Sequence, residues 1–585
     1  MLEVLLLLSQ AIPSPRTAVV RAIPVLERSA KSFVAQRSCV SCHHNILPIL
    51  TLRLAVSRGL KIDTAVLADV ERRTFRELTT GRAFDEAVQG TGVSDPTPND
   101  SWLLVAAQTA GLAPDLTTGV VAKRIASWQH DGHWTTSDFR PPHSSSLFTA
   151  TATAVRAVRA YLPDEMRETR GRVLTSARVW LNTTPPRSTE DATFRLLGLV
   201  WADAPRDDIA AAGKQLQQLQ NAGGGWAQLP GYAPDAYSTG EALYALHEAG
   251  LGGDSRWRRG IQFLVSTQAA DGTWHVRTRM ISPADVSPPY FTTGFPYKKD
   301  EYLSYAATTW AVMAMIESLP VKDAPEPAAP VSAAVFPADP AFRAALFGTL
   351  DGNVDVKATT GNGTSLLMAA ADDAAKTTLL LSRGADATYR APSGYDALTV
   401  AASYRGSAAA MTALLDAGAT ADPPEAVKAR HSPLLFASMS GDIDAVALLL
   451  SRGARANPRP NPSGNSPISE AITFGRADVV RALIGAGAKV DLTERTGVNL
   501  MHWATITNRA QVIPLLARAG VDINAIDEHG YTPLMYAATI DFGDTATAEA
   551  LVVAGADKKI RNEDGRTPLA QARHFKHTRL AQVLR

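Results

Sequence analysis

The chain has 585 residues, too many for a single core, since cores rarely grow beyond about 300 residues. Apolar residues make up 45% and charged residues 20%, and the formal net charge is +1, which leaves no bulk electrostatic basis for binding nucleic acid or an anionic membrane. No apolar run reaches the ~18 to 20 residues that span a bilayer. At the N-terminus, MLEVLLLLSQAIPSP has a short apolar core, Val4 to Leu8, followed by small residues. That pattern is the tail of a secretory leader, with Glu3 where a basic residue belongs, or else the start of an ordinary apolar helix. Residues 1–28 are set aside as a leader, and an exported, periplasmic location is expected.

The next segment, 29–97, carries RSCVSCHHN. Cys39 and Cys42 are the only cysteines in the chain, and His43 follows directly. Cys-x-x-Cys-His is the attachment pattern of c-type haem. Two thiols one helical turn apart reach the two vinyl groups, and the next imidazole meets the iron from the same side. The expected cofactor is therefore haem c, bound covalently by Cys39 and Cys42, with His43 as axial iron ligand. Zinc on Cys39, Cys42, His43 and His44, a thioredoxin-like redox pair and a lone disulfide are the alternatives. Zinc lacks a distant second ligand pair, and the redox pair lacks a βαβ setting. For a sixth iron ligand, the nearer histidines are His130, His133 and His143, and the first methionine after Met1 is Met166. The apolar residues Leu50, Leu52, Leu54, Val56 and Leu60 fit a helix buried against a neighbour.

Residues 98–319 repeat loosely. RGIQFLVSTQAADGTW (Arg259 to Trp274) is echoed by AGKQLQQLQNAGGGW (Ala212 to Trp226) and by RIASWQHDGHW (Arg124 to Trp134). Between them lie helical stretches such as EDATFRLLGLVW and YSTGEALYALHEAG. The form Gly-x-x-Phe-Leu-x-x-x-Gln-x-x-Asp-Gly-x-Trp, met throughout by Gly260 to Trp274, resembles the Gln-Trp repeat of the squalene–hopene cyclases and their prenyltransferase relatives. The resemblance implies an α/α toroid of alternating outer and inner helices, with Gln220, Trp226, Gln268 and Trp274 as structural turn residues. It does not extend to the chemistry. The Asp-x-Asp-Asp acid motif is absent, Glu190-Asp191 and Asp235 lack clustered carboxylates, and no cysteine lies here to complete a prenyltransferase zinc site. No catalytic residue is therefore expected.

The stretch 320–340, PVKDAPEPAAPVSAAVFPADP, reads as an extended Pro/Ala-rich linker. Beyond it, over 341–585, Gly384, Gly418, Gly453, Gly487, Gly520 and Gly555 recur every 33 to 35 residues behind Leu-rich stretches. About twenty residues before each stands a variant of G-x-T-P-L-x-x-A, best kept in GYTPLMYAA and GRTPLAQAR. Period and motif together resemble ankyrin repeats, about seven units behind a degenerate cap.

The expected fold class is all-α: an α/α toroid joined by a Pro/Ala-rich linker to an ankyrin solenoid. The expected function is a c-type haem protein for electron transfer or redox sensing, with an unknown protein partner on the ankyrin repeats and a redox partner at the haem. The alternatives are a non-redox interaction scaffold and an enzyme acting on an isoprenoid-like apolar substrate. The latter requires a buried carboxylate in the toroid.

Overall fold

A computed structural model describes residues 13–37, 42–92, 96–143, 145–280, 292–320, 340–350, 353–423, 431–458 and 464–585. Cys39 and residues 321–339 of the expected linker lie outside them, as do the first twelve residues. Among the described residues, fourteen helices make up the N-terminal body: α1 (Pro15–Gln36), α2 (Leu47–Ser57), α3 (Thr64–Thr74), α4 (Arg76–Thr79), α5 (Ala83–Gln89), α6 (Ser101–Thr109), α7 (Leu116–Ser127), α8 (Leu147–Tyr161), α9 (Arg167–Thr183), α10 (Thr189–Trp201), α11 (Arg206–Gln218), α12 (Ala236–Glu248), α13 (Ser255–Thr267) and α14 (Glu301–Glu317). One two-stranded ribbon, β1 (Trp226–Ala227) with β2 (Pro234–Asp235), precedes α12.

Two kinds of helix alternate, and sequence decides which is which. In α14 every residue from Glu301 to Ile316 is buried, as befits a helix apolar on all sides. In α13 only Trp257, Gly260, Ile261, Leu264 and Val265 are buried, a single stripe at three- and four-residue spacing. Six inner helices pack in a closed cycle: α2 on α6, α6 on α8, α8 on α10, α10 on α12, α12 on α14, and α14 back on α2. Helices α1, α7, α9, α11 and α13 pack outside it, and α7 is nonetheless buried along nearly its whole length because the C-terminal body covers it.

Each Gln-Trp repeat makes the same bonds. The indoles of Trp134, Trp226 and Trp274 donate to the carbonyls of Ile125, Leu216 and Leu264 at the ends of their outer helices. Their backbone N–H groups donate to Thr151, Thr239 and Thr308 on the following inner helices. Gln129, Gln220 and Gln268 donate to the carbonyls of Val173, Arg256 and Ala18, which belong to the next outer helices, α9, α13 and α1. Each repeat thus pins an outer helix to its inner partner and to its neighbour.

Gln268 reaching back to Ala18 closes the outer layer, as α14 on α2 closes the inner one. Two sequence expectations change accordingly. Residues 15–28, set aside with the leader, form the buried first half of α1, with Ala18, Val19, Ala22, Ile23 and Leu26 in the core. The ring also begins before residue 98: α2, from the segment expected to pack on the toroid, is a member of the cycle.

The C-terminal body is a stack of seven helix pairs among the described residues, from Leu366–Ala370 with Ala374–Ser382 to Pro568–His574 with Thr578–Val583. Each first helix is capped by a side chain that accepts a backbone N–H: Ser365, Asp396, Ser432, Ser466, Asn499, Thr532 and Thr567. Pro533 and Pro568 sit in first turns, where no backbone donor is needed. The glycine after each second helix from Gly384 to Gly555 has φ between 81° and 100°, a conformation that ends the helix without strain. The helix Pro340–Phe347 packs on the first pair.

The two bodies are not beads on a string. Lys123 donates to the carbonyl of Leu346 (2.6 Å) and to Asp372 (2.8 Å). Gln89 bonds Thr364, Arg509 bonds the carbonyl of Thr136, Tyr232 bonds Asp541, and Arg279 bonds the carbonyl of Asp541. Met280 joins Ile506, Tyr531, Met535, Tyr536 and Ile540 in a small core of its own. The solenoid therefore lies across the end of the ring at which the inner helices α8, α10, α12 and α14 begin. No helix of the described residues is long and apolar enough to cross a membrane.

Candidate functional site

Residues Cys42–Ile46 form a single π-turn leading into α2, whose second residue, Pro48, starts the helix rather than interrupting it. Cys39 lies outside the described residues, and of Cys42 only the backbone is placed. The turn carries His43, His44 and Asn45 into the interior, where all three are buried.

His44 is held in an aromatic slot. Its ring stacks on Tyr305 (centroids 4.2 Å apart, planes 10° apart) and on Phe33 (5.0 Å, 15°). Its Nε2 faces Glu301 at 3.9 Å. Burial pushes its pKa down to about 3, so the ring is neutral. His43 also packs edge-on against His44, with the two Nδ1 atoms in contact. Burial, then the neighbouring His44, drive its pKa well below the ordinary value, so it too presents a neutral imidazole.

Across from His43, with ring centres 6.2 Å apart, stands His143 from the segment before α8. It too is buried, and desolvation lowers its pKa. A hydrogen-bonded chain fixes its orientation. Its Nδ1 is 3.0 Å from the Tyr237 hydroxyl, and that hydroxyl donates to Glu190 Oε2 at 2.6 Å. Thr149 donates to the other Glu190 oxygen. Because Tyr237 spends its one proton on Glu190, it accepts from His143, and Nδ1 carries the imidazole proton. Nε2 is left as a bare lone pair, with no hydrogen-bond partner among the described residues. Leaving such a buried acceptor unmade costs about 1–3 kcal/mol.

Glu241 on α12 adds a second buried acid. Neither of its oxygens has a hydrogen-bond partner of good geometry among the described residues. Burial, then the charge of Glu190, raise its pKa well above the ordinary carboxylate value. Burial raises Glu190 as well, against the pull of His143, Thr149 and Tyr237. Both acids are pushed upward by burial, and they titrate as a pair. The ring interior thus contains the clustered carboxylates that the sequence reading had missed at Glu190. Glu241 had not been singled out, because the two acids lie on different helices. The only signal was a polar residue at a position facing inward on an otherwise buried helix.

The other expected ligands are elsewhere. His130 pairs with Asp131, and His133 stacks on Trp180 at 5.0 Å. Met166 lies in the short turn before α9. Of the three histidines named from sequence, the structure brings only His143 to His43. Among the described residues, no three His, Cys, Asp or Glu side chains converge to hold a bare metal ion. Two imidazoles are the donor set an iron needs when a macrocycle supplies its other four nitrogens, so the residues present fit a haem better than a naked ion.

Comparison with known proteins bears on the C-terminal body. A family profile described as ankyrin repeats, three copies, matches residues 420–494 and 480–547. Palmitoyltransferase Hip14 of Drosophila melanogaster is 33% identical over 120 residues, 20% of this chain and 18% of that protein. Protein PhlB of Serratia liquefaciens is 38% identical over 97 residues, 17% of this chain and 42% of its own length. Palmitoyltransferase AKR1 of Lachancea kluyveri is 28% identical over 158 residues, covering 25% and 21%. The chain thus spans about a fifth of either palmitoyltransferase. The human ASB11 ankyrin repeat domain aligns at 25% identity with a TM-score of 0.33, over 38% of this chain and 96% of that one. The C-terminal body contains ankyrin repeats, and such repeats serve protein contact.

Proposed function

We propose that this chain is a protein-interaction scaffold, in which a ring of the cyclase-like α/α toroid type carries an ankyrin array that makes the protein contacts. The cyclic packing order of the inner helices and the recurring Gln and Trp bonds support the toroid reading. One observation carries the function: the array already binds protein, taking up Lys123, Trp128 and Arg279 of the ring through side-chain and backbone bonds. An external partner uses the surface left open, where Ile526 and Val553 are the most exposed large apolar residues of the array, at 58% and 87%. Affinity purification of the full chain with quantitative cross-linking tests this. Ile526→Asp with Val553→Asp removes partners that wild type and His43→Ala both retain. Equal recovery by all three proteins overturns the assignment.

A second reading is favoured by the bare Nε2 of His143 beside His43. In it, Cys39 and Cys42 attach haem c, His43 is its axial ligand, and the protein is exported. The bound group would supply a one-electron redox centre within the scaffold, for sensing or electron transfer. Expression with haem-maturation machinery, followed by haem staining of the denatured chain and an optical spectrum, tests it. A colourless, unstained protein ends this reading and leaves the scaffold standing.

A further inference from the structure

We infer that His143 is the second protein ligand of the iron, on the face opposite His43. The inference rests on the haem reading above and names the residue that completes it. Four observations meet at this imidazole. It is buried, and its Nε2 has no hydrogen-bond partner among the described residues. Its Nδ1 is committed to the Tyr237 hydroxyl, and through it to Glu190. A ligating histidine is held in this way, with its far nitrogen donating toward a carboxylate so that the near one points its lone pair at the metal. Its ring centre lies 6.2 Å from that of His43, at 62° between planes. Two imidazoles on opposite sides of one metal stand about 6 Å apart, from two metal–nitrogen bonds of about 2 Å and the ring radii.

The other histidines are placed differently. His44 is clamped between Phe33 and Tyr305, His130 pairs with Asp131, and His133 lies on Trp180. The Glu190 carboxylate behind Tyr237 gives the ligand a further property. It raises the basicity of His143 through the hydrogen-bonded chain, and a more basic pair of imidazoles favours the ferric state. Glu190 and Tyr237 are positioning residues here. They act on the iron only through His143.

The test uses the full chain, produced in the periplasm with haem-maturation machinery, and reads spectra rather than activity. Wild type is expected to be six-coordinate and low-spin in both oxidation states, with the electron-paramagnetic signature of two imidazoles. His143→Ala is expected to turn high-spin, to bind carbon monoxide at once, and to regain the low-spin spectrum on adding free imidazole. His143→Met keeps the bulk of the ring should the alanine variant fail to fold, and exchanges nitrogen for sulfur. It is expected to stay low-spin with a raised reduction potential. Tyr237→Phe, with His143 intact, lowers neither haem content nor coordination number but raises the potential. Haem present with a His143→Ala or His143→Met spectrum identical to wild type overturns the ligand assignment and spares the haem reading. No haem in wild type overturns both. A high-spin wild type overturns the second ligand alone.

Discussion

The indole of Trp128, at the end of an outer ring helix, donates to the carbonyl of Ser403 in the second ankyrin pair at 2.9 Å, across 275 residues of chain. The same ring meets Phe474 edge-on at 5.7 Å, and the indole is 1% exposed. Arg124, one turn earlier, lies over Tyr404. This point of contact welds a solenoid to a ring, and it is the place to ask whether the two bodies act as one.

Trp128→Ala empties an aromatic site at that weld and is expected to cost about 3–5 kcal/mol. Trp128→Phe keeps the packing, loses one hydrogen bond and costs about 1 kcal/mol. Limited proteolysis and small-angle scattering read the outcome: the alanine variant releases the array earlier and has a larger radius of gyration. An alanine variant with the wild-type cleavage pattern would show that the weld is elsewhere.

Gln268 donates to Ala18 at 2.9 Å and to Gly272 at 3.0 Å, and so holds the first helix to the last hairpin. Gln268→Ala is expected to cost about 1–3 kcal/mol, with faster hydrogen exchange concentrated in α1. Gln129→Ala removes the equivalent bond to Val173, so its exchange signature falls on α9 instead. Identical exchange maps for the two variants would contradict the pairwise pinning described above.

Gly240 marks the closest approach of α12 and α14. A Cβ there would stand 2.6 Å from the Ala311 nitrogen and the Trp310 carbonyl carbon. Backbone cannot yield as a side chain does, so Gly240→Ala is expected to cost about 3 kcal/mol or more and to lower Tm by several degrees. Gly171 on the outer α9 has nothing within 4 Å of such a Cβ. Gly171→Ala is the control, and it is expected to stabilise by up to about 1 kcal/mol through helix propensity alone.

Asp235 caps α12, accepting from the Ser238 N–H at 2.9 Å and from Gln228 at 2.8 Å. Burial pushes its pKa up from 3.8 to about 6. Between those values the folded state binds more protons than the unfolded one, so stability falls as pH rises through this window and is level above it. Asp235→Asn keeps the cap and removes the titration. Urea midpoints measured from pH 4 to 7 are expected to decline less steeply for the variant. Parallel curves would mean that Asp235 titrates alike in both states.

Much of this was readable from residues in line. The glycines from Gly384 to Gly555 and the Thr-Pro pairs at Thr532 and Thr567 announce helix stops and starts, because those conformations admit few other residues. Gln268 and Trp274 announced a turn through the resemblance to the Gln-Trp repeat. What escaped was whatever depends on closure. Nothing local marks α2 as the neighbour of α14, since its apolar stripe would fit any partner. Glu190 and Glu241 look unremarkable on separate helices and become a pair only when α10 and α12 pack. His43 was singled out by its cysteines. His143 was one of three similar histidines until Tyr237 fixed its tautomer.

The closed ring also sets an order of events in biosynthesis. The first helix is not fully docked until Gln268 emerges, 250 residues after the carbonyl it grips. Until then, the surroundings of His43 and His44 are incomplete. Tyr302 and Tyr305, which complete their surroundings, come with the last helix of the ring. Closure around the two histidines is therefore the last step in assembling the ring.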